Sequence, residues 1–517
     1  MKKIYRLISI LLATSLMMIG CDPADKFNNP EKTEIGSVPA LFTSMLNNAR
    51  MRTEYWNVRT VLITHQAIYT QTVTLVNSSS LYKQNDSYLG QYWRDFYTAE
   101  YGGAMGMYRQ MQRVANDLPS DQQAENEIFF QAGKVVMYDF GSQLVDMFGD
   151  IPFSEAGSLS LTAQNVPAKF DDQQELYKMF IEDLDKVATY FSTAATTASF
   201  TRQDIMLAGS VKKWQKYANS IRLRLLIHIS NVEEGYAKQE IMNMLNNPAK
   251  YPLIDGDNNG NYDPKSVDVL NVPLTTYTSN LYDALNEGYA SLAPDFMVNN
   301  LMVPTEDVRL PVMFDKNGQD QYVAAPITAT SESLADYKKV TANWDSVSIW
   351  QNNKLPGIRI TASEINLIKA EAYERWGSSA DAKTAYETAV KQSVSFYFYL
   401  NSINLDGDKE TKPSDQEIND FISTRIAYQG TRDQKLELIG TQKWLHLGFL
   451  QGLECWTELR RTKYPTLLPF PSEGKENGFE TPPTRLLYPS LERNTNPNYS
   501  TVQSKDTRTT KIFWDVN

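Results

Sequence analysis

The sequence predicts a mainly α-helical fold built from paired helices, with long irregular loops in its middle third. Three observations carry this. From Gln174 to Phe191, apolar residues recur at Leu176, Met179, Phe180, Leu184, Val187 and Phe191, the stripe of a helix with one buried face. "KKWQKYANSIRLRLLIHIS" repeats that spacing at Trp214, Tyr217, Ala218, Ile221 and Leu225. A third stripe opens at Thr361 and Glu364 with the residue types of a capping box, runs through Ile365, Ile368, Ala372 and Trp376, and stops at Gly377.

The elements follow in order. Met1 to Arg6 carries Lys2, Lys3 and Arg6, and Leu7 to Gly20 is apolar or small, the layout of an export signal over residues 1–20. That run falls short of the roughly 20 apolar residues a spanning helix needs. Cys21 follows Gly20 and resembles the acylated cysteine of a bacterial lipobox, with Met18 where that pattern prefers Leu. An ordinary signal peptide with a chance cysteine is the alternative. Acyl chains on Cys21 would contribute about 0.8 kcal/mol per buried methylene, enough with two or more to anchor a domain. Residues 21–34 are polar and contain Asn and Pro, as suits a tether, and 35–517 is expected to form a single binding domain. After Gly377, "SSADAKTAYETAVKQSV" lines one side with Ala382, Ala385, Tyr386 and Ala389, small enough for close approach of two antiparallel helices. A helix, a Gly turn and an Ala-lined helix within roughly 34 residues is the layout of a tetratricopeptide unit. "RDQKLELIGTQKWLHLGFLQGLECWTELRRTKYP" keeps Leu438, Leu445, Phe449, Leu453 and Trp456 in register and is expected to form one last helical stretch, closing at Pro465. Between Asn246 and Ala362 periodicity mostly fails, apart from a short pattern near Leu281 to Leu301.

Lys and Arg total 50 against 61 Asp and Glu, a formal net charge of -11, which disfavours nucleic acid as a partner and suits a neutral ligand better. Cys455 is the one other cysteine; it lies in an amphipathic helix and is expected in the core. The 29 tyrosines, 21 phenylalanines and nine tryptophans are generous, and many fall outside periodic segments, which points to ligand stacking.

No nucleophile elbow, His-Glu zinc motif, phosphate loop or dinucleotide fingerprint occurs, and no catalytic residue is predicted. His65, His228 and His446 are scattered, and the last two are expected to pack or cap. "DGDNNGNYD" spaces Asp255, Asp257, Asn259 and Asp263 like the start of a calcium loop, but Ser266 stands where the bidentate Glu should close it. An Asx-rich turn is the preferred reading of that stretch. No other cofactor is expected.

"VDMFGDIPFSEA", "KKWQKYANSIRLRLLIHIS", "EDVRLPVMF", "TASEINLIKAEAYERWG", "QKWLHLGFLQGLECWTELRRTKYP" and "RLLYPSLERNTNPNY" occur in the order seen in SusD/RagB-type nutrient-binding lipoproteins, which the chain resembles nearly end to end. It departs in reading Asp307, Val308, Arg309 where the family commonly has Asp-Pro-Arg. The resemblance implies a SusD-like fold on tetratricopeptide-type hairpins. It also implies a cell-surface outer-membrane lipoprotein of a Bacteroidota cell, which captures oligosaccharides and delivers them, without chemistry, to a TonB-dependent SusC-like transporter. A RagB-like peptide receptor is the alternative cargo reading; a secreted glycoside hydrolase and a purely structural scaffold are the others.

A sugar ring presents a flat C–H face to an aromatic ring and hydroxyls to amides and carboxylates. Two irregular segments offer that mixture. "NSSSLYKQNDSYLGQYW" has Tyr82 and Tyr88 flanking Asn85 and Asp86; "NWDSVSIWQNNKLPG" has Trp344 and Trp350 among Asn and Gln. These six are the predicted ligand-binding residues, although any one aromatic is as well suited to packing between helices.

Overall fold

The computed structural model describes residues 36–74, 81–162, 164, 166–256, 262–273, 281–471 and 481–516. The proposed signal, Cys21 and the 21–34 tether lie outside them. No helix among the described residues is long and apolar enough to cross a membrane.

The helices form where the periodicity places them. Gln173–Thr193 begins at Asp172, whose carboxylate accepts from the Gln174 and Glu175 amides, and buries Leu176, Phe180, Leu184, Val187 and Phe191. It packs along Val211–His228. Ala362–Trp376 and Ser379–Ile403 make the most extensive helix–helix contact in the chain, with Ala382, Ala385, Tyr386 and Ala389 buried between them and their neighbours. These are the expected tetratricopeptide-type hairpins of a mainly α fold. Among the described residues, strand is confined to three antiparallel two-stranded ribbons: Ile151–Pro152 with Phe170–Asp171, Val269–Asn271 with Gly357–Ile360, and Phe314–Asp315 with Asn343–Trp344. Most buried apolar residues from Val38 to Trp514 join in one large cluster, in which Cys455 is 1% exposed, and Leu292, Ala325, Ala329 and Leu334 form a small second one.

Two local expectations are corrected. The final stretch is two helices, Arg432–Leu447 and Gly452–Thr462, because Gly448 turns the chain with φ +51°. The capping box at Thr361 is only half made. The Thr361 hydroxyl accepts from the Glu364 amide at 3.2 Å, but the Glu364 carboxylate takes two hydrogen bonds from Arg224, at 2.7 and 2.8 Å. The departure at Asp307 closes on itself, since the fully buried Arg309 guanidinium grips the Asp307 carboxylate at 2.9 and 2.6 Å.

Val211–His228 is buried around nearly its whole circumference, polar residues included. Its outward face meets a network of charges rather than water. Arg224 spans Glu364 and, at 3.5 Å, Asp139; Asp139 also takes Arg359 and the Tyr217 hydroxyl, the latter at 2.5 Å. Arg461 spans Glu371 and Glu458, and Lys443 reaches Glu458 at 2.9 Å. Each charge is removed from water and is tolerable only because a partner of opposite sign is fixed beside it. Arg224→Ala is therefore expected to lower unfolding free energy by about 3–5 kcal/mol, by leaving the buried Glu364 carboxylate without its cation, as read by denaturant titration.

Candidate functional site

Three short segments from distant parts of the chain meet at one edge of this scaffold. Tyr55–Asn57 leads into a wide, π-type helix over Val58–Ala67; Leu281–Asn286 packs against both; Ser346–Trp350 forms a second wide turn against Leu281–Asn286. Wide turns of this kind interrupt the regular hydrogen-bond ladder and often lie at functional sites.

At this meeting point Tyr282 stacks on Trp350, with ring centroids 4.9 Å apart and planes 16° from parallel. Trp350 is half-buried and Tyr282 is 44% exposed, so Trp350 backs Tyr282 and the outer face of the tyrosine is left open. Trp56 is 55% exposed and stands perpendicular to Tyr55, with centroids 5.2 Å apart. A hollow of about 580 Å³ is lined by Tyr55, Asp283, Asn286, Glu287 and Lys338. The Tyr55 hydroxyl donates to Glu287 at 2.8 Å, and Arg59 donates to the other Glu287 oxygen at 2.9 Å. The Tyr55 hydrogen bond, with help from Arg59, holds the Glu287 pKa below the ordinary glutamate value. The same bond raises that of Tyr55. Glu287 is thus a standing acceptor, and the hollow presents Tyr55 beside an amide, carboxylates and an ammonium.

The predicted residues divide. Trp350 is in this site, and Tyr88 is half-buried on Asp86–Tyr97, near Tyr55. Tyr82 and Trp344 are corrected. They are 2% and 1% exposed; Tyr82 packs edge-on against Phe470, and Trp344 lies between Phe314 and Phe449, so neither has a face for a ligand. Asn85 and Asp86 hold structure. The Asn85 side chain caps Asp86–Tyr97 by accepting from the Tyr88 amide at 3.1 Å, and its own amide donates to His65 Nε2 at 3.0 Å. Asp86 accepts from the Ser490 amide and hydroxyl, and Arg493 reaches it at 3.5 Å, which pins the "YPSLERN" segment. Sequence reasoning missed Tyr55, Trp56, Tyr282 and Glu287. The adjacent pair at 55–56 was a usable signal; Tyr282 was hidden inside a short helical pattern.

Of the calcium candidates, Asp257 and Asn259 lie outside the described residues. Asp255 is paired with Lys369 at 2.7 Å, and Asp263 caps Pro264–Val267, accepting from the Lys265 amide at 3.2 Å. Both carboxylates thus have a structural partner already. His446 bridges Thr361 and Ser393 hydroxyls at 2.7 and 3.0 Å, and burial drives its pKa down to about 3. His228 Nε2 meets Glu454 at 3.0 Å, and Glu458 lies 3.6 Å away. Burial opposes its protonation, but Glu454, Asp146 and Glu458 outweigh that and hold its pKa above the ordinary histidine value. With Arg224, Arg461 and Lys443 already supplying positive charge to the same carboxylates, this cluster reads as ion pairing rather than a metal seat.

A family profile described as "Starch-binding associating with outer membrane" matches residues 29–489. The chain belongs to the SusD-like family. Solved structures agree in fold. A chitin-binding protein superposes with TM-score 0.72 at 22% identity, covering 93% of this chain and 100% of its own. A chitin-binding SusD homolog from Flavobacterium johnsoniae gives 0.71 at 20%, covering 93% and 99%. A SusD homolog from Bacteroides uniformis gives 0.68 at 20%, covering 92% and 99%. Among curated proteins the sequence has no match. The description of this SusD-like family ties it to the outer membrane.

Core and site aromatics separate experimentally. Trp344→Ala is expected to cost about 3–5 kcal/mol of stability, as for a buried tryptophan, while Trp56→Ala stays within about 0.5 kcal/mol of the parent in the same denaturant titration.

Proposed function

We propose that this SusD-like protein is a cell-surface lipoprotein, acylated at Cys21 and tethered through residues 21–34. Its single binding domain over 35–517 captures oligosaccharides and hands them to a TonB-dependent SusC-like transporter in the outer membrane. The observation that carries the reading is the exposed Tyr282 face backed by Trp350 beside a polar hollow, in a family described as starch-binding. One sugar ring would lie on Tyr282, with Asn286, Asp283, Glu287 and Lys338 in reach of hydroxyls, and Trp56 with Tyr55 would receive a further ring. Two structural relatives are described as chitin-binding, so β-linked N-acetylated sugars belong in the test beside starch oligosaccharides.

Delivery without chemistry fits the site. Glycoside hydrolysis needs one carboxylic acid kept protonated beside an ionised partner. Glu287, the carboxylate bound by Tyr55 and Arg59, is held ionised, so it is unsuited to the proton-donating role of such a pair.

Calorimetric titration with chito-oligosaccharides, malto-oligosaccharides and a peptide panel, alongside assays for released sugar, tests the proposal. Binding to one glycan class without turnover is expected. Tyr282→Ala and Trp56→Ala should each weaken it by about 1–2 kcal/mol, roughly five- to thirty-fold. Binding to peptides alone, or release of sugar, would overturn it.

A further inference from the structure

Trp350 owes its place to a turn held by two carboxyl groups. Asp345, 5% exposed, precedes the turn; its side chain accepts from the Ser348 amide at 2.6 Å, and its own amide donates to the Met313 carbonyl at 2.8 Å. Asp315, on the ribbon strand beside it, accepts from the Ser346 amide at 3.0 Å. The two carboxyl groups thus cap amides two residues apart in one turn, Asp315 at Ser346 and Asp345 at Ser348. The other groups around them offer little positive charge. Ser379–Ile403 contributes Asn401, whose amide lies 3.5 Å from Asp345, and the loop after it contributes Glu410, whose backbone amide donates to Asn401. Lys409 is turned onto the Asp406 and Gly407 carbonyls, and Gly407 lies against Val347 of the turn. Lys316 is paired with Asp320 at 2.9 Å, over the Tyr322 ring. Asp283 is the acid on the packed Leu281–Asn286 helix, and Arg309, before Leu310–Met313, is taken by Asp307.

We propose that Asp315 and Asp345 share one proton and so position the Ser346–Trp350 turn, making glycan affinity at the Tyr282–Trp350 stack depend on pH. This rests on the glycan reading given above. With the proton in place, one carboxyl donates to the other while both cap the same turn. Without it, two like charges confront each other in a poorly solvated place, and each pulls on the amide it caps. Trp350 ends that turn, so the displacement is delivered to the ring that backs Tyr282. Burial, then the neighbouring Asp315, push Asp345 up to about 7. A raised acid means that the folded form keeps a proton which the unfolded chain releases. The stability contributed by the pair is thus full in acid and lost as pH rises from the ordinary carboxylate range through about 7.

Asp315→Asn keeps a carbonyl acceptor for Ser346 and supplies a permanent N–H donor toward Asp345, so it mimics the protonated pair. Affinity for a chito-oligosaccharide, with a malto-oligosaccharide in parallel, is measured at about pH 6 and about pH 8.5. The wild-type protein should weaken about five-fold or more at the higher pH, and the variant should show a flat profile. Thermal midpoints without sugar form the second arm: the variant's advantage should be absent at about pH 4 and appear by about pH 8. Asp345→Asn serves the same purpose if the first variant does not fold. Binding with a flat wild-type profile, or thermal midpoints that run parallel across pH, would overturn the shared-proton pair. Failure to bind either sugar at both pH values would instead overturn the glycan reading, and this coupling with it, even where the thermal arm behaves as stated.

Discussion

Pairing of charge inside the helix stack is the constraint on which the remaining architecture depends. Arg224 and Arg461 are both almost fully buried, and each joins carboxylates from different helices: Arg224 reaches Asp139 and Glu364, Arg461 reaches Glu371 and Glu458. An arginine fork meeting a carboxylate with two hydrogen bonds fixes orientation as well as distance. The helices 120–148, 211–228, 362–376 and 452–462 are therefore held in mutual register by contacts that fail together if one partner is removed. Apolar packing alone would tolerate sliding between such helices more easily, because it is non-directional.

The ligand edge inherits that rigidity without sharing its chemistry. Tyr55, Tyr282 and Trp350 come from short turns, not from the long helices, yet each turn is tied to its surroundings. Glu287 joins Tyr55 to Arg59, Asp345 caps the turn that ends in Trp350, and Asn85 links the cap of Asp86–Tyr97 to His65 inside the wide helix. Aromatic faces with two soft torsions each, presented by tethered turns, bind a flexible sugar at low entropic cost.

Polar residues that look like candidates for recognition often serve the scaffold. Asn85 is a cap, Asp86 pins the segment after Tyr488, and Glu364 is an ion-pair partner at what reads as a capping box. In each case the residue type suits both jobs. Only the partners it meets in the folded chain settle which one it does.

The sequence by itself determined the helices, the Ala-lined hairpin after Gly377 and the family, because stripes, caps and turn glycines act between residues a few positions apart. It also singled out Trp350 as a candidate. It did not show that Tyr82 and Trp344 are buried, that Gly448 divides the last helix, or that the Tyr55 and Tyr282 segments meet at the edge where Trp350 stacks on Tyr282. Those are decided in three dimensions. An aromatic residue in an irregular segment has the same local signature whether it is covered by Phe470 or left open to solvent, and no periodicity relates positions 55, 282 and 350. Their meeting is a consequence of how the charged helix stack positions its loops, and that is a property of the whole chain.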